Sequence, residues 1–174
     1  MSEFRDRVEG FVAHLRRFTE PGHENRGALA DLRSGLGKEP GEAPRMHKHV
    51  VPYLGEHIAP SDRWFYVAAA VFGAHPVHEQ GRSFGECFRQ LRQQGSESIE
   101  NRFLAILASH PEDLPKHLAG AAGLLESANR GIDYVRLILD LVNWDAADRR
   151  VQNRWAREFY GSKPENAEGG TKNE

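Results

Sequence analysis

Apolar residues recur along this chain at the three-to-four-residue spacing of a helix, and no stretch shows the two-residue alternation of a strand. That periodicity confines the fold to packed helices. Near the C-terminus Val151, Trp155 and Phe159 stand at i, i+4 and i+8, one stripe of a helix wheel. At the N-terminus Phe4, Val8, Phe11, Val12 and Leu15 form another, with Ser2 as candidate N-cap.

The segments between follow the same rule. A second helix is expected over about 23–36, with Leu29, Leu32 and Leu36 inward, before the Gly/Pro-rich loop 37–41. A short third element over 45–55 must bend or stop at Pro52, whose ring lacks the N–H a helix interior needs. Ser61-Asp62 opens a fourth helix through Trp64, Val67, Ala68, Val71 and Phe72, closed by His75-Pro76. Ser83-Phe84-Gly85-Glu86 has the capping-box form, so a fifth starts near Phe84. A sixth covers about 98–109 and a seventh begins at Leu114-Pro115, with proline in the tolerated first turn. Two amphipathic helices complete the set, in 131–144 and after the acidic link at Asp145. The expectation is an all-α protein, an irregular single-domain bundle of about eight to nine helices over 1–161, with a polar disordered tail over 162–174.

Composition removes several function classes. The formal net charge is −2, too low for a protein that coats nucleic acid by bulk charge. One cysteine, Cys87, excludes a disulfide framework and a cysteine zinc site, and reads as a small core residue. No apolar run approaches a membrane span, and the charged N-terminus is unlike a signal peptide, so a cytoplasmic protein is expected.

Catalytic constellations are weak. The nine histidines lack metal-ligand spacing: His47 and His49 fall on different helix faces, and Pro76 interrupts His75 and His78. They read as solvated surface residues. No nucleophile elbow or phosphate loop is present. Asp133 and Asp140, seven apart, are a carboxylate pair of the kind a metal nuclease uses. The plainer reading gives one to a helix N-terminus and the other to an arginine. The expectation is no enzyme, no cofactor and no metal.

Arginine is the conspicuous residue: 18 against 5 lysines. Its planar fork suits phosphate and carboxylate, although GC-rich genomes also enrich it. Arg150, Arg154 and Arg157 form a stripe at i, i+4 and i+7 beside Arg149; Arg26 and Arg33 share a face of the second helix; Arg89 and Arg92 lie opposite Phe84, Phe88 and Leu91; Arg102 precedes Phe103. Such stripes can follow a phosphate backbone. The alternative is a solvated face balanced by Asp148 and Glu158.

The order of motifs resembles the CasB family, the small subunit of the type I-E CRISPR surveillance complex Cascade. The resemblance rests on Arg26–Arg33, Pro52-Tyr53-Leu54, Trp64–Ala68, Gly81–Gly85, Glu100–Phe103, Ile132-Asp133-Tyr134 with Leu141 and Trp144, and Arg154–Tyr160. It implies a non-catalytic helical subunit that sits with other Cascade subunits and the crRNA, paired with a second copy of itself. It would stabilise the crRNA–target DNA hybrid and the displaced strand. The family's arginine positions match Arg33, Arg102 and Arg149/Arg150, while Ser34 and Asn101 stand where a basic residue is common. The candidate nucleic-acid-binding residues are therefore Arg26, Arg33, Arg102, Arg149, Arg150, Arg154 and Arg157. A helical scaffold without nucleic-acid contact is the competing reading.

Overall fold

The computed structural model describes residues 2–95 and 97–161; the side chain of Ser2 is outside the description. Among the described residues it contains nine α-helices: α1 (Ser2–Arg17), α2 (Arg26–Arg33), α3 (His47–Val50), α4 (Asp62–Ala74), α5 (Phe84–Gln93), α6 (Glu97–Ala108), α7 (Leu114–Ala128), α8 (Tyr134–Val142) and α9 (Arg150–Tyr160). Two 3₁₀ turns, Pro44–Met46 and Val51–Tyr53, flank α3. The all-α expectation holds. The one extended pairing among the described residues is an isolated parallel bridge between His78 and Ile132. The expected disordered tail, 162–174, lies outside the described residues.

Helix α4 organises the bundle. It is apolar nearly all round, and every residue from Trp64 to Gly73 is buried, as a helix enclosed on all sides requires. It packs against α2, α7 and α8, and α1 packs on α8. The α2 contact is close because Gly73 faces it. A Cβ there would stand 2.6 Å from the Arg33 nitrogen. A second group forms around α5, which touches α6, α7 and, most extensively, α9. Gly85 permits that crossing, since a Cβ would meet the Trp155 carbonyl at 2.6 Å. The two groups share one core, from Val8 and Phe11 through Phe65 and Phe72 to Phe88, Trp144, Trp155 and Phe159.

Local chemistry explains the boundaries. Ser83 accepts from the Glu86 N–H at 3.1 Å, and the Glu86 carboxylate accepts from the Ser83 N–H at 3.1 Å. This is the expected capping box. α2 is shorter than its periodicity suggested. Asn25 caps it by accepting from the Ala28 N–H at 2.9 Å, and it ends at Arg33, with Gly37 at φ 74° in the following turn. The element around Pro52 breaks as expected, into α3 and a 3₁₀ turn.

The reading of the histidines as solvated surface residues holds for His23, His57 and His110, which are exposed, and needs correction for His14, His47, His75 and His78. His75 is buried, with Nε2 2.5 Å from the Arg130 carbonyl oxygen. The Tyr134 N–H donates to His78 Nδ1 at 3.2 Å. His47 pairs with the Tyr66 hydroxyl at 2.8 Å, and His14 stacks on Tyr53. His47, His75 and His78 pair with polar groups of other segments rather than facing water, whereas His14 packs between Phe18 and Tyr53 with its Nε2 buried and without a hydrogen-bond partner. Imidazole makes such pairs well because it carries both a donor and an acceptor on a largely flat apolar ring.

Candidate nucleic-acid interface

The structure sorts the candidate arginines by their partners. Arg154, in the middle of the α9 stripe, turns inward. Its guanidinium donates to Asp140, whose other carboxylate oxygen accepts from the Trp155 indole N–H at 2.7 Å. The Arg154 side chain is 40 % exposed and that of Asp140 only 8 %. Glu158 sits beside this pair, taking a hydrogen bond from Arg136 and lying 3.9 Å from Arg154. An α8–α9 ion network thus occupies the centre of the expected stripe.

Burial raises the Glu158 carboxyl above the usual range, with nearby Asp140 adding to the rise; Ser83, Arg136 and Arg154 act in the opposite direction. Desolvation of the Glu158 carboxyl outweighs the two cations beside it.

Arg149 and Arg150 mark the turn between α8 and α9. Arg150 donates to Asn143 at 2.7 Å and stands 3.7 Å from Asp148. Asp148 and Glu158 therefore take up part of the arginine charge, as the solvated-face alternative anticipated. Arg149 donates to the Leu107 carbonyl at 2.7 Å, tying the turn to the end of α6. Its backbone is left-handed, φ 50°, a conformation costly for any residue with a Cβ. Arg26, Arg33, Arg102 and Arg157 are exposed, and none has a carboxylate partner among the described residues.

The candidates do not form one continuous stripe. Arg26 and Arg33 lie on α2, which packs on α4, whereas Arg149, Arg150 and Arg157 lie on or beside α9, which packs on α5. Arg102 borders a groove of about 180 Å³ between α6 and α7, with Lys116 and His117 on the opposite wall. Lys116 is a basic neighbour that helical periodicity did not single out; only the α6–α7 packing brings it to Arg102. Ser34, at a position often basic in the resembled family, turns its hydroxyl back to the Asp31 carbonyl at 2.6 Å.

The carboxylates of the nuclease alternative have structural work. Asp133 caps α8, accepting from the Arg136 N–H at 3.1 Å and from the Gly81 N–H at 2.8 Å. Asp140 is taken by Arg154 and Trp155. Among the described residues no three His, Cys, Asp or Glu side chains gather as a metal site. No described helix is long and apolar enough to cross a membrane. Cys87 is fully buried, and desolvation pushes its thiol up to about 11, which fits a core residue.

Among the described residues the chain is an all-helical bundle whose surface carries arginines without carboxylate partners. Similarity to known proteins gives the family. The model for the CRISPR-associated protein Cse2 matches residues 28–160, and the chain belongs to that family, also called CasB. A CRISPR-associated protein Cse2 of Thermus thermophilus is 36 % identical over 138 residues, covering 78 % of this chain and 79 % of that protein. The crystal structure of a Cse2-family protein from Thermus thermophilus superimposes with a TM-score of 0.77 at 34 % identity, covering 89 % of this chain and 98 % of the other. A chain of a CRISPR RNA-guided surveillance complex matches with a TM-score of 0.70 at 27 % identity, covering 90 % and 92 %.

Proposed function

We propose that this chain is the non-catalytic small subunit of a type I-E CRISPR surveillance complex, Cascade. In that role it steadies the crRNA–target DNA hybrid and the displaced strand with its exposed arginines. The observation that carries the reading is the match over nearly the whole chain to a subunit of an RNA-guided surveillance complex. The partners are the other Cascade subunits with their crRNA, the target DNA and a second copy of the chain.

The chemistry suits the task. Guide–target pairing reads sequence, so a supporting subunit needs phosphate contacts and shape rather than base readout. A net charge of −2 with unpaired guanidiniums at defined places gives local attraction without indiscriminate binding. Arg33, Arg102 and the Arg149/Arg150 turn are the principal contacts, with Arg26 and Arg157 beside them. Arg154 is left out of the direct contacts, because Asp140 and Glu158 engage it.

Copurification and crosslinking test the proposal. The tagged chain should bring down a guide RNA and partner subunits, and in the target-bound complex it should crosslink to DNA. A chain that assembles with the complex but never crosslinks to nucleic acid would instead be the protein scaffold of the competing reading.

A further inference from the structure

A groove separate from the Arg149/Arg150 turn lies where the C-terminal turns of α5 meet the end of α9. Its volume is about 590 Å³ and it is lined by Arg89, Gln90, Arg92, Gln93, Tyr160 and Gly161. That size falls in the range of about 300–1,000 Å³ that accommodates a small organic group.

Its two arginines are held without being neutralised. Arg89 donates to the Gly161 carbonyl at 3.0 Å. Arg92 lies over rings instead of a carboxylate, 5.3 Å from the Phe159 centroid and 5.5 Å from that of Tyr160. Each guanidinium has five N–H donors, so both retain charge and hydrogen-bonding capacity. Neither has a carboxylate partner among the described residues, in contrast to Arg63, Arg82, Arg136 and Arg154.

Tyr160 lines the same groove, 47 % exposed, with Arg92 over its ring. Its hydroxyl donates to Glu100 at 2.7 Å, which fixes the ring. Glu100 is the opposing charge at this edge, one carboxylate against two guanidiniums. A positioned aromatic ring flanked by unneutralised arginines is the pattern that takes an unstacked base and its adjoining phosphates. A duplex keeps its base faces covered, so the fit is to a single strand.

We propose that the Arg89–Arg92–Tyr160 groove is a single-stranded DNA site, where one base of the displaced strand lies on Tyr160 and its flanking phosphates meet Arg89 and Arg92. The proposal rests on the Cascade reading for the strand's identity: the guide is paired with the target, leaving the displaced DNA strand as the unpaired one.

The test uses the assembled complex on target DNA whose displaced strand carries 5-iododeoxyuridine. Irradiation should crosslink Tyr160. Tyr160→Leu should lower that adduct at least tenfold, Tyr160→Phe should preserve it, and neither should alter incorporation of the subunit. With the full chain alone at low salt, Tyr160→Leu should weaken binding of a dT12 oligonucleotide about tenfold, the scale of one base–aromatic stack. Crosslinks that avoid Tyr160 and persist in Tyr160→Leu would overturn the groove while leaving the arginine contacts standing. Loss of incorporation in Tyr160→Leu would make this a protein contact instead. Tenfold tighter binding of rU12 than dT12 would overturn the assignment to DNA. Absence of any displaced-strand crosslink to this chain would remove the groove and the broader reading together.

Discussion

At the residue scale, the distinction that matters is between arginines that hold the protein together and arginines that face outward. Arg154 belongs to the first kind. Asp140→Ala leaves Arg154 and the Trp155 indole without their acceptor, and the expected loss is about 2–4 kcal/mol in urea denaturation, reduced from the fully buried case by the partial exposure of Arg154. Arg26→Ala, on an exposed face, should change stability by less than about 0.5 kcal/mol. Arg149 is a separate case, because its left-handed backbone is one that glycine adopts freely. Arg149→Gly should therefore keep stability within about 1 kcal/mol while deleting the guanidinium, a useful variant for binding assays. The histidines make stability depend on pH. Burial lowers the pKa of His78, with Arg16 adding to it and Asp133 opposing; burial, then His49 and Arg17, lower that of His14. Between each depressed folded value and the unfolded value of about 6.5, the unfolded chain binds more protons. Stability should thus be complete above about pH 6.5 and fall on acidification through the folded values. His78→Phe should flatten that dependence in a pH series of denaturation midpoints; an unchanged slope would deny His78 the role.

At the element scale, the helices were legible because their signals are local. The capping box of α5, the proline in the first turn of α7 and the apolar stripe of α9 each act within a few residues, and the structure has all three. What periodicity could not show was which helix faces which. The inward turn of Arg154 depends on Asp140, fourteen positions earlier and on another helix. The histidine bridges likewise link distant segments, as His78 does with Tyr134. The closeness of α5 to α9 and of α2 to α4 depends on Gly85 and Gly73, which in the sequence look like ordinary helix-weakening glycines. Gly85→Ala should destabilise by about 1–3 kcal/mol, because the new methyl group meets backbone that cannot rotate away. Gly120→Ala, with open space around its Cβ position, should be neutral or stabilising. Equal effects at the two positions would contradict the close crossing.

At the scale of the whole molecule, arginines sit on two separate helix groups, one around α4 and one around α5. A long partner such as a nucleic-acid backbone can engage both, and each phosphate contact releases counterions, making affinity salt-dependent. Helical periodicity picked out the candidate residues but joined those of α9 too simply, as one stripe; tertiary packing withdraws its middle member and brings Arg102 and Lys116 to the walls of one groove. The central claim is that Arg33, Arg102 and Arg150 meet phosphate. Its most direct measurement is the salt dependence of target-DNA affinity for the assembled complex, wild type against the triple Arg33→Gln, Arg102→Gln, Arg150→Gln variant. The account predicts weaker binding at low salt and a log–log slope shallower by about 2–3, close to one for each guanidinium removed. An unchanged affinity and slope, with the subunit still in the complex, would contradict it.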